Sequence, residues 1–272
     1  MITQARLMIK IATVVVVIAL TGCESPATRF DVDAKGSGLE RQMAGGLVLY
    51  QNGQLANGRP IHFYIDGDGT PSLGRGRISQ DPTSRNRLIL DLIRADTSTS
   101  VLVGRPCYYG RSNECSSEQW TTARYSKEVV DQLLATMNPI IRRFPSSKIV
   151  LIGYSGGGTL AMLAAPGLDR VDAVVTIAAN LDTRAWLEHH GYSPLEGSLN
   201  PADQAPLPPR IEQFHFFGSD DDNVPAYLAD RTILRQENAK VEIIEGFGHR
   251  CCWPQSWANN ISQIERLVGQ SP

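Results

Sequence analysis

The sequence predicts an α/β fold, a mostly parallel central sheet flanked by helices, and three observations carry that expectation. Short apolar runs recur along the chain, separated by segments of helical period. The runs are dense in β-branched residues, as strands buried on both faces are. The 272 residues, 42% apolar and 20% charged, are enough to bury a sizeable core. The formal charge is −2, from 26 basic and 28 acidic residues with no long run of one sign, which disfavours nucleic-acid binding by phosphate neutralisation. No internal repeat is visible, so solenoids and propellers drop out.

Residues 1–22 read as a processing signal. Arg6 and Lys10 flank an apolar stretch from Ile11 to Leu20 that only Thr13 interrupts, shorter than the roughly 20 residues of a membrane span. Leu20-Thr21-Gly22-Cys23 resembles the lipobox of bacterial lipoproteins, in which the cysteine carries lipid after cleavage. A plain secretory signal is the alternative, and both imply export. By the same resemblance, Glu24 in place of an aspartate points to the outer membrane, facing the periplasm. Residues 23–45 are polar and read as a tether with a short strand at Phe30 to Val32. Residues 46–272 then form the main domain.

Strands are expected at Leu47 to Tyr50, Ile61 to Ile65, Val101 to Val103, Ile149 to Ile152, Ala173 to Ile177, Phe214 to Phe217 and Val241 to Ile244. Leu88, Ile89, Leu92 and Ile93 form one helical stripe. Val129, Val130, Leu133, Leu134 and Met137 form another, on a helix starting near Ser126. Pro254 to Val268 reads as a terminal helix. Leu181 to Pro209 breaks the rhythm, with five prolines and a Trp186, His189, His190, Tyr192 cluster, and reads as an insertion over the strand ends. With Cys23 lipidated, four cysteines remain where disulfides are permitted. Cys107–Cys115 with a Cys251–Cys252 pair, or cross-pairing, are both open. No histidine beside them has zinc-knuckle spacing, so a metal site is not expected there.

Chemistry concentrates at Ile149 to Met162, where an apolar strand enters Gly153-Tyr154-Ser155-Gly156-Gly157 and then a small-residue helix. This is the strand, sharp turn and helix of a nucleophile elbow. Gly153 and Gly157 must lack side chains where strand and helix approach, and Ser155 would stand in a sparsely populated backbone conformation.

On these residues the chain resembles the serine-dependent α/β-hydrolase superfamily, from about Leu47 to the C-terminus. The resemblance implies a triad in the order serine, acid, histidine. Gly218-Ser219-Asp220-Asp221-Asp222-Asn223-Val224-Pro225 matches the family's Gly-x-x-Asp-x-x-Val-Pro, which selects Asp221 over Asp220 and Asp222. Asp182 is a rival, because some relatives place the acid after the preceding strand. His249, in the loop after the last strand, is the implied general base. The N–H groups of Gly156 and Asp68 are the implied oxyanion donors, although Asp66-Gly67-Asp68-Gly69 places carboxylates where relatives carry His-Gly.

The expected activity is hydrolysis of a small-molecule carboxylic ester, or a related acyl compound, through an acyl-enzyme with no metal or organic cofactor. Acyl transfer to an alcohol by the same triad is an alternative. A hydrolase-fold binding lipoprotein without turnover is another.

Overall fold

The strands are β1 (Glu40–Ala44), β2 (Leu47–Gln51), β3 (Ile61–Ile65), β4 (Thr99–Val103), β5 (Ile149–Tyr154), β6 (Ala173–Ile177), β7 (Glu212–Gly218) and β8 (Ala239–Ile244). The helices are α1 (Pro26–Gly36), α2 (Leu88–Ala95), α3 (Lys127–Arg143), α4 (Gly156–Ala164), α5 (Thr183–His190), α6 (Asp230–Ile233) and α7 (Pro254–Gln270). These come from a computed structural model that describes residues 24–74, 76–110 and 115–270. The signal segment and Cys23 lie outside the described residues.

The strands form one sheet in the order β1-β2-β4-β3-β5-β6-β7-β8. β1 pairs antiparallel with β2 and β2 with β4, while every other pair is parallel. The sheet is therefore mixed and mostly parallel, as the buried apolar runs predict. β5 shows why those runs lack polar alternation. Val150, Ile152 and Tyr154 join a core with α1, α2 and α7 residues, whereas Ile149 and Leu151 join a second core with α3 and α4. Ser126 caps α3 by accepting from the Val129 N–H at 3.3 Å.

Three expectations are corrected. Residues 26–44 are folded, not a tether, and the strand expected at Phe30 to Val32 lies inside α1. Ser25 caps this helix, and Phe30 is buried against Tyr109, with ring centroids 4.5 Å apart. Polar composition hid both elements, because α1 buries only Ala27, Phe30 and Ala34, and β1 is a largely exposed edge strand. At the other edge, β8 is not buried on both faces: Val241 and Ile243 are exposed. The insertion is part helix, α5, followed by an irregular return with a short 3-10 turn at Pro201–Asp203. The cysteines pair as Cys107–Cys115 and Cys251–Cys252.

Candidate active site

β5 runs into Ser155, whose backbone has φ 50° and ψ −124°, and α4 begins at the next residue. A left-handed φ is costly for a residue with a side chain and persists only where packing over-determines it. The glycines on either side supply that packing. A Cβ at Gly153 would sit 2.4 Å from Gly158 N, and one at Gly157 would lie 2.6 Å from Asp66 O. Strand and helix are thus close enough to hold the turn, and the Ser155 N–H donates to Ile177 O on β6 at 2.8 Å.

Sheet register carries the partners to the same rim. Gly218 is opposite Ile244, so the loops that follow β7 and β8 leave the sheet side by side. Asp221 comes from the first and His249 from the second. His249 Nε2 lies 3.0 Å from Ser155 Oγ, and His249 Nδ1 lies 2.9 Å from Asp221 Oδ2. Asp221 is buried, and its other oxygen accepts the Asn223 and Val224 N–H groups at 2.9 and 2.8 Å. With the carboxylate so fixed, Nδ1 carries the proton and Nε2 offers a lone pair to the hydroxyl. The His249 carbonyl accepts from Tyr154 Oη at 3.0 Å and from Trp253 Nε1 at 3.2 Å, which anchors the loop behind the ring.

The third loop follows β3, whose Ile65 is opposite Gly153. A Cβ at Gly67 would be 3.2 Å from Ser155 Cβ, so this turn lies against Ser155. The Gly67 N–H is donated to Asp66 Oδ1 at 2.8 Å and the Thr70 N–H to Pro82 O at 2.9 Å, with the Asp68 N–H lying between them in the turn. Gly156 opens α4, so its N–H is one of those a helix cannot pair internally.

The Asp68 carboxylate packs beside Gly156 and is heavily compensated. Arg105 Nη1 donates to Oδ1 at 2.6 Å, and Arg124 Nη1 and Tyr125 Oη donate to Oδ2 at 3.0 and 2.6 Å. Burial pushes this carboxyl up, but Arg124 and Arg105 outweigh it and hold it well below the usual carboxylate range. Asp66 feels the Arg105 charge but, among the described residues, no arginine is hydrogen-bonded to it. Burial pushes it up to about 6, against the Gly67 N–H and the Tyr109 hydroxyl.

The model of the dienelactone hydrolase family matches residues 109–249, just over half of the chain, a span that contains Ser155 and Asp221 and ends on His249. The chain belongs to the dienelactone hydrolase family. No curated protein matches it in sequence. Solved structures share its fold at low identity. A hormone-sensitive lipase from a metagenome library aligns with TM-score 0.60 and 14% identity, over 89% of this chain and 93% of its own. TT1662 from Thermus thermophilus gives 0.59 and 16%, over 85% and 97%. XC6422 from Xanthomonas campestris, described as a serine hydrolase without a lid, gives 0.55 and 14%, over 86% and 97%.

In this dienelactone hydrolase family member the rival acids are engaged elsewhere. Asp220 and Asp222 are exposed, and Asp220 meets the Ser219 hydroxyl. Asp182 caps α5 and pairs with Arg231 Nη1 at 3.0 Å. His215 is buried against Thr176 Oγ1 at 2.8 Å, and burial pushes its pKa down to about 4. His190 is at the site's edge, with Nε2 at 2.8 Å from Asn223 O.

Metal-ligand residue types meet once among the described residues, at His62, Asp96 and Glu265. His62 is the second residue of β3, at the opposite end of that strand from the site. Its ring bridges the two carboxylates, with Nδ1 2.6 Å from Asp96 Oδ2 and Nε2 3.3 Å from Glu265 Oε1. Sequence reading missed Arg105, Arg124, Tyr125 and Tyr109 around the turn at Asp66 to Gly69, for they follow no motif and come from chain segments distant from it. Asn223 was visible only as a variable position of the acid-loop pattern.

Proposed function

We propose that this protein is a serine hydrolase that cleaves a small-molecule carboxylic ester, or a related acyl compound, through an acyl-enzyme. The observation that carries the reading is the unbroken hydrogen-bonded line from Ser155 Oγ through His249 to Asp221. His249 takes the hydroxyl proton as Oγ attacks the carbonyl carbon, and Asp221 orients the ring and stabilises its charged form. The N–H groups of Gly156 and Asp68 receive the oxyanion. Asp68 is tied to two arginines and a tyrosine, so its carboxylate is offset where charge builds up. Collapse expels the alcohol. Water, deprotonated by the same histidine, then releases the acid.

A fluorophosphonate probe tests this directly. Label on Ser155 that Ser155→Ala abolishes supports the enzyme, while well-folded protein that takes no label supports a non-catalytic binding role. His249→Ala and Asp221→Asn should each lower kcat by about 10⁴-fold, whereas Asp220→Asn should leave most of it. Equal damage from the two asparagine variants would overturn the choice of acid.

Export and anchoring through lipidated Cys23 complete the reading, with the protein held at the outer membrane and facing the periplasm. The order of charged flank, apolar run, small residues and cysteine supports it. Metabolic labelling with a radioactive fatty acid should mark the wild type and not Cys23→Ser.

A further inference from the structure

The His249 nitrogen that faces Ser155 has a second neighbour. Asn223 Nδ2 lies 3.1 Å from His249 Nε2, beside the Ser155 hydroxyl at 3.0 Å. Nε2 has one lone pair when Nδ1–H is donated to Asp221, so both neighbours are donors and the carboxamide presents its N–H. Asn223 is held firmly in this place. Its backbone N–H donates to Asp221 Oδ1 at 2.9 Å, and its carbonyl accepts from Trp186 Nε1 at 2.9 Å, with His190 Nε2 at 2.8 Å. The main chain of Asn223 is therefore fixed at once to the acid loop and to α5, and its carboxamide reaches from there to His249 Nε2.

Proton transfer changes what this pair can do. Once Nε2 has taken the hydroxyl proton, it becomes a donor facing another donor, and the two cannot bond to each other. Both can bond to one shared acceptor. An ester's leaving oxygen must come within hydrogen-bond reach of Nε2 to collect its proton, which brings it to the position Asn223 Nδ2 already borders.

We propose that Asn223 is a further catalytic residue, whose side-chain N–H donates to the leaving oxygen of the ester beside His249. The inference rests on the serine-hydrolase reading above. In the step, the Ser155 Oγ–carbonyl bond has formed and the carbonyl–oxygen bond to the leaving group breaks. The bonding pair goes to the departing oxygen, and the proton on Nε2 moves to it. Asn223 keeps its own hydrogens and stabilises the negative charge while that proton is in transit.

The dependence on leaving group follows. A p-nitrophenolate departs without needing a proton, whereas an alkoxide needs both proton and charge stabilisation. Asn223→Ala should lower kcat/KM for ethyl butyrate by about 10–100-fold, and for p-nitrophenyl butyrate by less than about threefold. Asn223→Leu, close in shape but without the donor and without a charge, should show the same split. It also guards against a packing defect, and retained fluorophosphonate labelling of Ser155 reports the fold of both variants.

Equal losses on the two esters, or no loss, overturn the assignment and leave the hydrolase reading intact. Wild-type protein that takes no label and turns over neither ester overturns both. The pH profile should move little in Asn223→Ala, because Asp221 on the imidazole is unchanged, as are the neutral Tyr154 ring beside it and the Asp66 and Arg250 charges that act on Tyr154. A shift of a full unit would instead make Asn223 a residue that tunes the imidazole.

Discussion

Two neighbouring carboxylates in one turn illustrate how single residues set the electrostatics of the site. Asp68 is held ionised by two guanidinium groups and a phenol that face it, whereas burial pushes Asp66 up to about 6, offset only in part by a backbone N–H, the Tyr109 hydroxyl and the Arg105 charge. Asp66 therefore links stability to pH. Its folded pKa of about 6 exceeds the ordinary 3.8, so the folded state binds its proton more tightly than the unfolded chain does. The group costs nothing while both states are protonated. Stability then falls as pH rises from about 4 to about 6, and the cost levels off at ~3 kcal/mol above that. Asp66→Asn should match the wild type near pH 4 and exceed it at pH 7, measured by urea unfolding across that range. A variant no more stable at pH 7 would show that the carboxylate is better compensated than its neighbours suggest.

Among the elements, the N-terminal helix is tied to the site by a short path. Phe30 of α1 packs on Tyr109, and the Tyr109 hydroxyl meets Asp66 Oδ2 at 3.2 Å, one residue from the Gly67 turn against Ser155. Phe30→Ala removes a nearly fully buried ring and should cost about 3 kcal/mol in chemical denaturation. It should also slow fluorophosphonate labelling at temperatures where the rest of the sheet is intact. Loss of stability with an unchanged labelling rate would mean that α1 braces the fold without supporting the oxyanion loop. Six of the seven predicted strands were legible because each is buried on both faces or nearly so, and β8 because its β-branched residues mimic such a strand. β1 and α1 were not, since an edge strand and a helix with three buried positions carry almost no periodic signal. The misreading of β8 has the same root: Val241 and Ile243 are β-branched, and nothing in a linear sequence says that the sheet ends there.

Taken as a molecule, the protein brings together residues 155, 221 and 249 and a turn at 66–68 at one rim of a parallel sheet. Parallel strands deliver all their following loops to one side, and this makes the site possible. The strand–turn–helix around Ser155 was legible in the order of residues alone, because the glycine spacing is a local steric demand. So was the order of the candidate triad, because Asp221 and His249 each follow a recognisable strand. How charge is balanced at the turn of Asp66 to Gly69, and what stands beside His249, emerged only in the folded chain. Arg105, Arg124 and Asn223 act there through contacts between loops that neither period nor motif encodes. Hydrogen bonds of this kind depend on where the chain returns in space, and that position is fixed by the packing of the whole sheet.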